Sequence, residues 1–443
     1  MTSSSAMQGP SAPIVETRAA APTGFVRWRL AWVLMATLFV GYLDRVNISL
    51  ALPLIAVEKG WSDAEMKSYG ELLFSAFYVG YGLANIFLSP LAARFGPRRS
   101  LIAIVILWAL FTAVGAVASQ VMLAFVAARI LLGLSEGVHF PMMNMLTRNW
   151  FPQHERGRAN SIWISGLFLA VLLSPAMLVP AMTAFGWRTG FWGLAAFGLV
   201  VTLPLVIRYV RDEPARSPDL SDAERRYIAE TLDGDPDEDA AAAEGFAARA
   251  RRLFSDPTFA LLLCAGILNN IVALGLVSWL PSFFVRVKGL PYESLAWAAA
   301  LPYAASLIGI ALWSNIGDRL SRRALIASIG YLLAGAGVYL SLTSDSIALV
   351  LAFFSGAIFL SSSYVAAEFA LLQKALPRAT VGGDTGLYNG LSTLIGGGLG
   401  PIVVSSIIGD PDAAGSVERL LIVPAVCALV AGVLFTTHKR LGY

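Results

Sequence analysis

Twelve long apolar runs dominate this chain, and no other feature of its sequence restricts the fold as strongly. They lie at about 28–57, 69–91, 99–118, 121–146, 160–182, 187–209, 258–284, 293–314, 324–342, 346–373, 384–408 and 418–437. Each is close to the roughly 17–25 residues that a helix needs to cross a bilayer. In lipid the backbone must satisfy its own hydrogen bonds, and a continuous apolar run does so as a helix. A β-barrel would show ten-residue segments of alternating polarity instead. Composition agrees: 57% of residues are hydrophobic and 14% charged, against about 25% charged in a soluble domain. So few charges cannot cover an aqueous surface. The sequence therefore predicts an all-α membrane protein with twelve transmembrane helices, embedded in a lipid bilayer.

Other classes find little support. Cys264 and Cys427 each sit inside an apolar run and read as small packing residues. His139, His154 and His438 are far apart, and no HExxH, CxxC or Walker-type loop occurs. No metal, no cofactor and no enzymatic activity are expected. A net charge of +3, in short scattered clusters, gives no reason to expect nucleic acid. Gly396-Gly-Gly-Leu-Gly-Pro401 follows no strand and lacks a Lys-Ser/Thr pair, so it reads as close helix packing. The chain divides into an Ala/Ser/Pro-rich N-terminus (1–27) expected to be disordered and cytoplasmic, a six-helix half (28–210), a polar linker (211–257) and a second six-helix half with a short tail (258–443). The linker holds the acidic piece 233–240 and has room for one amphipathic helix.

The basic residues orient the chain. Of 32 Lys and Arg, six fall in alternate loops (Lys59, Lys67, Arg188, Arg286, Lys288, Arg419), Arg45 and Arg129 lie within runs, and the other 24 lie on the opposite side. Both termini and the linker are thus expected in the cytoplasm, the chain being a multi-pass protein of a cell (inner or plasma) membrane. The halves repeat: Arg94-Phe-Gly-Pro-Arg-Arg99 corresponds to Arg319-Leu-Ser-Arg-Arg323, and Pro152 to Pro377, each at an offset of 225 residues. Two parallel repeats suit a carrier that rocks about a central site.

A charge at bilayer depth costs about 2.5–3.5 kcal/mol on insertion scales and persists where it is paired or lines a polar cavity. Asp44 and Arg45 lie near the middle of the first run, on different faces because adjacent helical residues are rotated by about 100°. The planar fork of Arg45 suits a carboxylate, leaving Asp44 to titrate or to pair elsewhere. Arg129 and Glu136 are seven residues apart, almost two turns, and share a face; Glu136 is a candidate for proton coupling. His139, one turn on, reads as a packing histidine. Glu368 shares a face with Tyr364 and is a candidate to bind an amine, carry a proton or pair with an arginine. Tyr42, Tyr81 and Asn389 are polar groups in apolar surroundings, of the kind a ligand pocket uses.

These motifs together resemble the major facilitator superfamily, whose basic turns follow the second and eighth helices. Within it, Gly41-Tyr-Leu-Asp-Arg-Val-Asn-Ile-Ser49, Arg129-Ile-Leu-Leu-Gly-Leu-Ser-Glu-Gly137 and Trp150-Phe-Pro-Gln-His-Glu-Arg-Gly-Arg158 are similar to the anion:cation symporter family. The resemblance runs from residue 28 over nearly the whole chain. It implies two pseudo-symmetric six-helix halves, and usually a monomer. It implies Arg45 and Arg129 near a substrate anion, and Tyr42, Tyr81 and Asn389 in contact with substrate. It further implies Asp44 and Glu136 in proton coupling, with Arg94, Asp318 and Arg319 in gating.

The sequence also departs from that pattern. Ala93 stands where the first basic turn usually has an acid, which is expected to loosen one gate state. Leu167 stands where sugar-acid carriers tend to have an amide, and Phe369, beside Glu368, where they tend to have Trp. Fewer hydrogen-bonding groups favour a short aliphatic or aromatic carboxylate over a polyhydroxylated hexonate. The function expected is proton-coupled uptake of a small organic anion. The alternatives are a proton-driven exporter of a drug or metabolite, against which the single early glycine of the fifth run, Gly166, speaks, and a transporter-like sensor without flux.

Overall fold

The computed structural model describes residues 25–232, 246–376, 381–408 and 416–442. Among these residues are twelve helices long and apolar enough to cross a membrane. Spans 1–6 are Val26–Lys59, Asp63–Phe95, Pro97–Ala118, Met122–Trp150, Arg158–Phe185 and Arg188–Tyr209. Spans 7–12 are Pro257–Val287, Tyr292–Gly317, Arg323–Thr343, Ile347–Leu372, Asp384–Ile407 and Arg419–Leu441. Several run longer than their apolar cores, because polar turns at the ends continue the helix. Span 2 starts six residues earlier than its apolar run, where Ser62 and Glu65 form a reciprocal capping box that satisfies two orphan amides. Proline opens spans 3 and 7, where its missing N–H costs nothing.

The polar linker carries two helices among the described residues, Asp222–Leu232 and Phe246–Ser255, where the sequence suggested one. Each is tied to its own half. Glu224 of the first accepts from both the backbone amide and the guanidinium of Arg27 at the base of span 1, while Glu155 takes the other edge of that guanidinium at 2.9 Å. Arg252 of the second forks onto the buried carboxylate of Asp384 at the start of span 11.

The repeat seen in sequence has a backbone counterpart. Gly96 ends the turn after span 2 at φ 85°, and Ser321, 225 residues later, ends the turn after span 8 at φ 51°. The second half holds a left-handed conformation without glycine, at a cost of order 1–2 kcal/mol. In the first half an acid from after span 6 reaches the turn. The Asp212 carboxylate, just after span 6, accepts from the Arg98 amide at 2.6 Å and lies directly over Gly96, where a Cβ would come within 2.8 Å. Neighbouring carbonyls bind the end of span 4: Asn149 donates to the carbonyl of Asp212 and Trp150 to that of Arg211.

The two halves meet along spans 1 and 7, 2 and 11, and 5 and 8. Spans 2 and 11 each contain a π-helical turn, Ala84–Leu88 and Thr393–Gly397, and each turn packs on the other span. Such turns break the regular ladder and recur at hinges and functional sites. On the face carrying the 60–62 and 288–291 loops the halves are tied by polar contacts. Tyr292 donates to the Leu50 carbonyl at 3.0 Å, Ser405 donates to Glu71 at 2.5 Å, and Arg286 lies 3.7 Å from Asp63. Phe74 and Trp279 meet edge to face beneath them.

Candidate functional site: a charged cluster in the first half

Four charged side chains that the sequence singled out come together where spans 1, 2, 3 and 4 pack. What brings spans 2 and 4 so close is Gly133: a Cβ there would lie 2.1 Å from the Phe77 carbonyl oxygen. The approach sets the aromatic face of span 2 against the charged face of span 4.

Arg45 is the centre of the cluster. Its guanidinium carbon lies 4.2 Å from the ring centre of Tyr42, 4.4 Å from Tyr81 and 5.2 Å from Phe77. Ring faces carry negative quadrupole density, so the cation sits in an aromatic collar that stabilises it by about 0.5–2 kcal/mol per contact. One Nη donates to Glu136 Oε2 at 3.1 Å. The pair uses only part of its capacity: Arg45 Nε and Glu136 Oε1 are buried without a hydrogen-bond partner. Asp44, as its position on another face predicts, turns away from Arg45 and accepts from the Thr112 hydroxyl of span 3. Arg129 is buried, lies with its guanidinium carbon 4.7 Å from the Phe77 ring centre and donates weakly to the Leu73 carbonyl. Arg129 and Glu136 do share a face, yet the direct salt bridge of Glu136 goes to Arg45, a partner 91 residues away in sequence.

The nearby residues divide clearly. His139 is buried, shares a hydrogen bond with Thr37 at 3.1 Å and packs on Trp108, so it is a satisfied core histidine as expected. Thr112 and Phe77 were not singled out in the sequence. Seven-residue spacing could have pointed to neither, because both belong to spans other than those that carry the charges.

The second half presents a different arrangement. Glu368 of span 10 is half-buried and accepts from the Tyr388 hydroxyl of span 11 at 2.7 Å; that hydroxyl also meets Tyr364 at 2.9 Å. Tyr331 stands edge-on to Tyr364 and donates to Asn269 of span 7. Glu368 has no cationic partner among the described residues. Tyr364 was expected beside Glu368 from the four-residue spacing; Tyr388, which makes the contact, was not. Asn389 is half-buried next to Gly390, whose neighbour across the halves is Ile86 of span 2. Arg94 and Arg319 are exposed and form no ion pair among the described residues. The side chains of Phe369 and Asp318, and residue Pro377, lie outside the described residues. Leu167 is half-buried against the core of the first half. Cys427 is buried as predicted, but Cys264 is exposed on the flank of span 7, a correction: an apolar run looks the same whether it faces lipid or a neighbouring helix. Among the described residues no group of His, Cys, Asp and Glu could hold a metal ion.

Comparison with known proteins bears on the family and the fold. A probable sulfoacetate transporter, SauU, of Cupriavidus necator is 31% identical over 297 residues, 67% of this chain and 66% of that protein. A chloroplastic ascorbate transporter of Arabidopsis thaliana is 27% identical over 71% of this chain and 57% of its own length. A probable galactarate/D-glucarate transporter, GudP, of Bacillus subtilis is 23% identical over 92% of this chain and 90% of its own. This chain spans 53% to 66% of the lengths of the first relatives it matches. All three relatives named are carriers rather than enzymes, in line with the expectation from sequence. In fold, a bacterial homolog of the human lysosomal transporter Spinster, inward-facing and unoccupied, superposes with a TM-score of 0.76 at 18% identity, covering 95% of this chain and 98% of that one. A D-xylose-proton symporter does so at 0.70 and 16% identity, covering 92% and 97%. The sequence profile of the Major Facilitator Superfamily matches residues 34–401 and 289–440. The twelve spans, the paired six-helix halves and these matches together place this multi-pass membrane protein in the Major Facilitator Superfamily.

Proposed function

We propose that this chain is a secondary carrier that takes up a small organic carboxylate together with protons by alternating access. The observation that carries the reading is the half-committed Arg45–Glu136 pair, with an unpartnered nitrogen on one side and an unpartnered oxygen on the other. A guanidinium fork held by aromatic rings is built to take a carboxylate in two parallel hydrogen bonds. Glu136 competes for that fork while charged and releases it when protonated. Asp44 is the second proton site, and Arg129 adds positive potential behind Phe77. Tyr42 and Tyr81 wall the anion site, and the second half contributes Asn389, Glu368 and Phe369 to substrate binding. Coupling requires that the carrier not reorient with its arginines empty and its acids charged.

The spans 2 and 11 contact, with a π turn on each side, is the pivot in this reading. Arg94 and Arg319 act at the cytoplasmic turns during gating, with Asp318 beside the second. The protein works as a monomer in the cell membrane with both termini in the cytoplasm. The names of the relatives support an anionic substrate. Leu167 and Phe369 favour an acid with few hydroxyls. The test is reconstitution into liposomes with a panel of organic acids, reading proton entry on addition of each. Acid-dependent proton entry is expected for at least one short carboxylate. Proton entry indifferent to every acid, with no acid exchanged across the membrane, refutes the reading. If galactonate or glucarate competes far better than simple aliphatic or aromatic acids, the preference for few hydroxyls fails by itself.

A further inference from the structure

Glu368 sits in the half opposite Arg45, and its surroundings are built rather than incidental. Three observations define it. Only one hydrogen bond is made to its carboxylate, from Tyr388, which leaves the other oxygen free of hydrogen-bond partners among the described residues. The Tyr388 hydroxyl is fixed in place by Tyr364 on one side and by Gly266 of span 7 on the other, where a Cβ would lie 2.2 Å from that hydroxyl. Any residue larger than glycine at position 266 would push the hydroxyl off Glu368. The carboxylate itself is half-buried, whereas Tyr364 and Tyr388 are fully buried. Glu368 lies within span 10, four residues before its end at Leu372, and a carboxylate inside a span with no cation beside it among the described residues is the kind of group that membrane proteins keep for function.

From this we infer that Glu368 recognises the end of the substrate remote from its carboxylate, and that this end carries an N–H or O–H donor and no second negative charge. The inference rests on the carrier reading above and narrows its substrate class. The two halves then hold opposite ends of one molecule: Arg45 in the first half takes the carboxylate, and Glu368 in the second half accepts a hydrogen bond from the distal ammonium or hydroxyl. A dicarboxylate of the same length would set a like charge against Glu368 and be rejected.

The experiment is a competition series in proteoliposomes with four carboxylates of matched chain length: butanoate, 4-hydroxybutanoate, 4-aminobutanoate and pentanedioate, with the three-carbon series run in parallel. The wild-type protein is expected to favour the amino and hydroxy acids over the plain acid by about tenfold or more, and to bind the dicarboxylate worst. Glu368→Gln is expected to reduce the preference for the amino acid at least tenfold and to improve the dicarboxylate. Tyr388→Phe, which keeps the charge but frees its anchor, is expected to give an intermediate loss, and it serves if the first variant does not fold. Failure of these acids together with every acid of the wider panel refutes the carrier reading itself, and failure of these alone overturns the inference. Competition by the acids with a ranking that neither variant changes overturns the inference alone. A changed number of protons per substrate with the ranking intact makes Glu368 a proton site and also overturns it.

Discussion

Replacing Glu136 with glutamine tests the central pair most directly. The amide keeps an oxygen for the Arg45 hydrogen bond, now at 3.1 Å, and removes both the charge and the titration. At an effective dielectric of about 20 the attraction between two unit charges about 4 Å apart is roughly 4 kcal/mol. Desolvation and reorganisation cancel part of that; if one third remains, about 1.4 kcal/mol, the freed arginine binds a carboxylate about tenfold more tightly. One pH unit stores about 1.4 kcal/mol per coupled proton and so supports a tenfold concentration ratio. Glu136→Gln is therefore expected to lower the concentration for half-maximal exchange about tenfold, keep exchange of substrate across the membrane, and lose the tenfold accumulation per pH unit that one proton provides. The assay compares counterflow with pH-driven uptake in the same proteoliposomes. Full pH-driven accumulation by the variant removes Glu136 from coupling. Loss of counterflow and accumulation together, in a variant that still folds, means that the carboxylate holds the site's shape instead.

Four further outcomes follow from the same geometry. Arg45→Lys keeps the charge but loses the planar fork and ring stacking, so substrate affinity is expected to fall roughly ten- to hundredfold, read as half-maximal exchange; unchanged affinity shows that Arg45 is not the clamp. Gly133→Val forces a side chain into the Phe77 carbonyl and is expected to cost at least about 1–3 kcal/mol, seen as a melting temperature several degrees lower in detergent. Tyr292→Phe removes one tie between the halves and is expected to shift the balance by about 0.5–1.5 kcal/mol toward opening on that face, measured as faster thiol labelling of a cysteine introduced there. Asp219, outside the spans, is held below the usual carboxylate range by hydrogen bonds from Arg208 and then Arg29. A depressed folded value means that its contribution is present above the ordinary carboxylate pKa and lost as pH falls through the folded one. Asp219→Asn should therefore flatten the acid limb of the stability–pH curve and leave neutral pH only slightly changed, an effect that added salt should weaken.

Residues read from the sequence alone went far where the physics is local to one helix. The cost of leaving a backbone amide or a charge in lipid is so large that spans and buried charges show up as runs and as exceptions to runs; twelve spans and the residues Asp44, Arg45, Arg129, Glu136 and Glu368 follow from that alone. The helical repeat separates Asp44 from Arg45, which take different neighbours, whereas Arg129 meets Phe77 of span 2 and Glu136 meets Arg45 of span 1 although the two share a helix face. What only the tertiary structure decided is who meets whom across spans. Arg45 pairs with Glu136 and not with the adjacent Asp44; Asp44 takes Thr112; Glu368 takes Tyr388; and Asp212 takes the Arg98 amide. Such contacts depend on how closely the elements approach, as at Gly133 against span 2 and at Gly266 against Tyr388. An apolar pattern is silent on that, because in a bilayer lipid-facing and helix-facing surfaces are equally apolar and only packing distinguishes them.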